Sequence, residues 1–187
     1  MPARIRTIGI MSALLCTGLA STARAIDPQV ESCIRQNEPK TTAIQKIEMR
    51  SIDRAGYDKT LAADIYLKRF PDDTSRLIAF FHEPDDIIGT RLLVIEKPPE
   101  NEMYVYMPSL FKIRRISSKR ISSSMYGSDF SYEDIERFYG MLTAEKPVQL
   151  PDSDLDGVPV YVLETRPAED SGSKYEAVVA YFDKQDC

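Results

Sequence analysis

The sequence predicts a mainly β (α+β) domain behind an export signal, on three observations. Eight strand-like runs follow one another, polar turn chemistry separates most of them, and a single amphipathic helix breaks the series. The strand-like runs are 43–52, 60–69, 76–82, 91–97, 103–107, 112–117, 158–165 and 174–182. Short links between them favour antiparallel neighbours.

The N-terminus comes first. Arg4 and Arg6 precede an uncharged apolar run at 8–20, and Ala23-Arg24-Ala25 offers small residues at a cleavage site. The run is shorter than the roughly 20 residues that span a bilayer. Residues 1–25 therefore read as a signal peptide cleaved after Ala25, and 26–187 as the working domain. Cys16 would suggest a lipoprotein, but Leu15 stands before it where a small residue is wanted. Export places the domain in a periplasm-like compartment.

A polar stretch at 26–42 follows, with a short helix expected near 30–35. The strand breaks carry turn residues at 53–56, 71–73, 98–101 and 171–173. Ser131-Tyr132-Glu133-Asp134 resembles a capping box with Asp in place of Glu. Ile135, Phe138, Tyr139 and Leu142 then form one apolar helical stripe, which Gly140 weakens at its end. Several strands are apolar on both alternating faces, notably 77–81, 92–95, 103–107 and 177–182. A curved sheet around an apolar pocket or a plain sheet covered on both sides fits this pattern.

Charge and composition narrow the function classes. The chain has 24 Lys+Arg and 29 Asp+Glu; residues 1–25 hold three arginines and no acid, so the remainder carries a net charge of -8. Nucleic acid is not an expected partner of such a surface. Neither GxSxG nor a phosphate-cradling glycine loop occurs, and His82 is the single histidine. Enzyme activity, a metal site and a cofactor are not expected. His82 reads as a structural residue. Residues 152–157 (DSDLDG) resemble half a calcium loop, but Leu163 stands where the bidentate Glu belongs, so an acidic turn is the better reading. Cys33 and Cys187 remain after the signal is removed; an even count in an oxidising compartment favours a disulfide over two buried thiols.

Lys112, Arg114, Arg115, Lys119 and Arg120 concentrate positive charge in an acidic chain. Adjacent side chains on a strand point to opposite faces, so Arg114 and Arg115 are unequal. The segment reads either as a binding surface for an anionic head group or charged partner, or as a solvated, charge-protected edge.

The stretches 104–116 (YVYMPSLFKIRRI) and 127–134 (GSDFSYED), with 68–70 (KRF) and 89–95 (GTRLLVI), resemble the outer-membrane lipoprotein-sorting, LolA-like family, in its less characterised branch. The likeness runs from about residue 40 to the end. It implies an incomplete antiparallel β-barrel with covering helices around an apolar cavity, and a domain that lacks its last strands after Cys187. It also implies a periplasmic carrier of a lipid or lipid-modified protein. Partners would be acyl chains and an inner-membrane transporter or outer-membrane acceptor. Tyr104, Tyr106, Lys112, Arg114, Arg115 and Phe130 become candidate ligand contacts, with the basic segment as the cavity's polar entrance and 122–127 as a movable cover. The alternative is a non-carrier module docking on an envelope transporter through its basic strand.

Overall fold

The computed structural model describes residues 25–52, 54–141 and 145–187. The signal peptide reading at 1–25 and Leu142 of the helical stripe lie outside the described residues, apart from Ala25. Two antiparallel sheets make up the fold.

Six strands form the first sheet in sequence order: β1 Thr42–Ile52, β2 Asp58–Arg69, β3 Ser75–Glu83, β4 Arg91–Ile95, β5 Glu102–Met107 and β6 Lys112–Ile116. Short turns force each strand back against its predecessor, so the sheet is a meander. Register then decides which side chains share a face. Ala43, Leu67, Leu77, Val94, Met103 and Ile116 form one row across all six strands. The next row of that face holds Ile65, Ala79, Leu92 and Val105. This inner face is the core of the molecule, and Leu77, Leu92 and Val94 have no exposed surface.

The outer face carries Ile44, Tyr66, Ile78, Leu93, Tyr104 and Arg115 in one row. These side chains are half-exposed or exposed. The apolar residues on both faces of β3 to β5 therefore have different causes. One set is buried; the other is thinly covered by neighbours, with Arg91 stacked over Phe80 at 5.3 Å and over Tyr106 at 5.6 Å. His82 belongs to the outer face as well, with Nε2 3.2 Å from Asp64.

Residues 117–141 lie across the inner face. Within them α2, Tyr132–Phe138, starts at a full capping box: the Ser131 hydroxyl accepts from the Asp134 N–H and the Asp134 carboxylate accepts from the Ser131 N–H. The expected stripe is only partly right. Ile135 is buried, but Phe138 is 68% exposed, and Glu133 and Glu136 are buried instead. For Glu133 the reason is pairing: Arg137 donates to it at 2.6 and 2.9 Å and also to Glu145 at 2.8 Å, and the Ser173 hydroxyl donates to Glu133 at 2.7 Å. A partnered carboxylate can sit where an apolar side chain was expected.

The second sheet is a three-stranded meander of β7 Val148–Leu155, β8 Val158–Thr165 and β9 Val178–Asp183. Strand β7 takes in most of the stretch read as an acidic turn. Only Asp156 and Gly157 turn the chain, both at positive φ, as a two-residue hairpin requires. The sheets do not join into a closed barrel among the described residues. The second sheet is held to residues 118–134 of the covering segment through loop 171–175. Ser122 donates to the Gly172 carbonyl at 3.1 Å, and Tyr175 donates to Asp134 at 3.0 Å. Gly172 is at φ +80, and a Cβ there would collide with the Ser118 carbonyl.

Helix α1, Pro28–Asn37, begins with Asp27 capping the Gln29 N–H and buries Val30 and Cys33. Its last residue, Asn37, donates to the carbonyls of Asp186 and Cys187 at 2.7 and 2.9 Å. The Cα atoms of Cys33 and Cys187 are 5.4 Å apart, inside the range a disulfide requires.

Candidate functional site

The core itself builds the site. A sheet with one continuous apolar face must cover it. Here the cover is not a second sheet but segment 121–141, which contributes Met125, Ile135 and Met141 to the core. Met125 is fully buried. Tyr126 follows it at φ +52, a backbone region that non-glycine residues seldom adopt, and meets Phe81 edge-on at 4.9 Å. Tyr132 continues the ring series at 6.5 Å. The Tyr126 hydroxyl is buried without a hydrogen-bond partner, and burial pushes the phenol's pKa up.

The turn at 124–131 closes on itself. The Met125 N–H donates to the Phe130 carbonyl at 2.8 Å, and Ser124 and Ser131 form a bridge. Between this turn and the paired ends of β1 and β2 runs a groove of about 200 Å³. Met49, Ile52, Leu61, Tyr126 and Phe130 give it apolar walls, Lys59 and Arg50 give it cations, and Asp129 gives it one acid. Lys59 Nζ donates to the Tyr126 carbonyl at 3.1 Å, and Arg50 pairs with Asp58. The groove is smaller than the roughly 300–1,000 Å³ that enclose a drug-sized ligand.

The six sequence-predicted contacts do not converge there. Phe130 lines the groove beside β1 and β2. Tyr104 and Tyr106 sit on the outer face, in register with Arg115 and Ile113 of β6. Arg114 pairs with Val105 and Lys112 with Met107, which puts both on the inner-face side of the edge strand. All four residues Lys112 to Arg115 are exposed. Arg114 and Arg115 are unequal as alternation requires, but they stand at the sheet edge opposite β1. Sequence reasoning missed Lys59, Arg50 and Tyr126. No motif marks the first two; their roles come from the β1–β2 pairing. Tyr126 lay within 122–127, the stretch read as a movable cover.

Buried charge is the second feature of the cover. Glu136 is buried in α2, and burial above all raises its pKa to about 7, against the opposing effect of Asn101. One of its oxygens has no hydrogen-bond partner. No group of His, Cys, Asp and Glu able to hold a metal occurs among the described residues.

A family model described as an uncharacterized protein matches residues 73–187, more than half of the chain. The chain belongs to that family. Two solved structures share its fold. A DUF1329 family protein from Desulfovibrio piger matches at 26% identity and a TM-score of 0.70, over 82% of this chain and 66% of its own. An outer-membrane lipoprotein-sorting protein domain from Vibrio parahaemolyticus matches at 25% identity and a TM-score of 0.70, over 83% of this chain and 65% of its own. The resemblance read from residues 104–134 is thus borne out. The chain spans about two thirds of the length of these two proteins. No curated protein matches it.

Proposed function

We propose that the chain is a periplasmic, non-enzymatic carrier of a lipid or lipid-modified protein, serving outer-membrane lipoprotein sorting or envelope lipid transport. One observation carries the reading. The apolar inner face of the six-stranded sheet is covered by a short, methionine- and tyrosine-bearing segment rather than by a second sheet. Acyl chains would enter through the groove at β1 and β2 and spread along that face as segment 121–141 moves away. Each buried CH₂ contributes about 0.8 kcal/mol, which replaces the burial that Met125 and Tyr126 give up. Methionine suits this exchange because its side chain repacks readily. The orphan Tyr126 hydroxyl would meet an ester or carboxyl oxygen, and Lys59 the head group's negative charge.

The likeness to a lipoprotein-sorting domain supports this reading, and so do the export signal and the absence of a nucleophile–base pair in the sequence. The Cys33–Cys187 bond belongs to the proposal too: it would clamp α1 to the end of the second sheet in an oxidising compartment. A second reading is favoured by one observation. The five cations of 112–120 form no ion pair among the described residues, as a surface kept for docking on an envelope transporter would require.

Native mass spectrometry of protein purified from its own envelope separates the two. The carrier arrives with lipid-sized mass additions that Phe130→Asp, at the groove's rim, strips away. The docking module arrives clean and brings a membrane protein with it.

A further inference from the structure

The meander puts the β1–β2, β3–β4 and β5–β6 turns at one end of the first sheet and the other two turns at the opposite end. The two ends differ sharply. Turns 70–74 and 96–101 at the far end expose acids, prolines and a lysine, and no large apolar side chain. At the near end all three hairpins carry exposed apolar residues. These are Ile52 and Tyr57 on the first, Ile88 on the second, and Leu110, Phe111 and Ile113 on the third. Phe111 is 86% exposed and Ile113 is 70% exposed.

This end is built, not frayed. Phe111 is held at φ +47 with its N–H donating to the Pro108 carbonyl at 3.1 Å, so the turn pushes the ring outward. A Cβ on Gly89 would lie 3.3 Å from Pro108, so the second and third hairpins touch. Lys59 of the first hairpin lies 3.9 Å from Asp86 of the second. Residues 103–128 supply five cations and no acid, and Lys112, Arg114 and Arg115 rise directly from the Phe111 turn. Glu83, Asp85 and Asp86 on the middle hairpin oppose this charge, so the third hairpin leads the contact.

We infer that this hairpin end is a docking surface for an anionic lipid bilayer. Projecting aromatic and aliphatic tips suit the boundary between head groups and chains, where the solvent is soft and needs no matching pocket. Lysine and arginine beside them are attracted by lipid phosphates. The far end has cations, Lys68 and Arg76, but they stack on the half-buried Phe70 and no large apolar tip projects beside them. The inference stands on its own observations, independent of the carrier reading. If both hold, docking brings the groove at β1 and β2 to the membrane surface.

Sedimentation of residues 26–187 with vesicles tests it; this span holds every described element. The chain should bind phosphatidylcholine vesicles containing phosphatidylglycerol, and bind pure phosphatidylcholine vesicles at least about tenfold more weakly. Phe111→Ser should lower binding about tenfold, and Lys112→Glu with Arg114→Glu should abolish the preference for the anionic lipid. Leu155→Ser, at the tip of β7, should change neither. Failure of the parent chain to sediment, equal binding to both vesicle types, or full binding by Phe111→Ser overturns the inference and leaves the end as a protein-docking surface. Because the variants sit at exposed positions, an unchanged melting temperature shows that each is folded.

Discussion

The two sheets are built from similar strands yet stand at opposite ends of a scale of burial. In β2 to β5 every second residue is buried under segment 121–141, and three leucine and valine side chains lose all contact with water. In β7 to β9 only Val160, Val162 and Leu163 are buried, while Leu155, Val158, Val179 and Tyr181 are exposed. Apolar content does not explain the contrast, since β9 is as apolar as β4. The difference is what lies opposite. The first sheet has a covering segment; the second is tied on by polar contacts at Gly172, Ser173 and Tyr175 and by the meeting of Cys33 with Cys187. The carrier account requires that single covering segment to move, and the polar ties of the second sheet end on it, at Ser122, Glu133 and Asp134.

The largest expected effect is on the ties. With Cys33 and Cys187 separated by 154 positions in the chain, the chain-entropy model sets about 5 kcal/mol as the ceiling for their cross-link. Urea unfolding with and without reductant should show a loss approaching that figure. The unreduced, unfolded protein should not react with a thiol reagent. In the first sheet, Leu92→Ala should cost about 2–5 kcal/mol in the same unfolding assay, since its site cannot fill with water or collapse fully.

Glu136 gives the next effect, with a definite sign. Its folded pKa, about 7, lies above its ordinary value of 4.5. The folded state therefore keeps a proton that the unfolded chain releases between those values. Stability falls as pH rises from about 4.5 to 7 and stays lower above it. Glu136→Gln should remove this slope and stabilise the protein by up to about 3 kcal/mol at pH 8, read from melting curves across the range. A slope that survives the substitution would place its origin elsewhere. The smallest effect belongs to the second sheet's exposed edge strand: Tyr181→Ser should shift stability by no more than about 0.5 kcal/mol.

Much of the first sheet was legible because its strands announce themselves twice, by apolar content and by turn residues at each break. Strand β7 was hidden because Pro151, Asp152 and Asp154 look like a turn; pairing with β8 on either side, at Leu150 and from Ser153 to Leu155, carries the strand through an irregularity at Pro151 and Asp152. The helix was found by its capping box, but its buried face was misjudged. Nothing local says that Arg137 and Ser173 will make Glu133 fit to bury. The site was least legible for the same reason. Phe130 lines the groove, while its neighbours Lys59 and Met49 are brought there by register alone. The basic residues of β6 stood out in the sequence, yet topology puts them at the far edge from the groove.

The central claim is that acyl chains replace segment 121–141 on the inner face. The chain contains no tryptophan, so Tyr126→Trp creates a sole indole reporter beside Phe81. Titration with a monomeric fatty acid brominated along its chain is the most direct measurement. The carrier account predicts saturable quenching of the residue-126 indole, lost when Phe130→Asp is added at the rim. Emission that stays constant while the protein remains folded would contradict it.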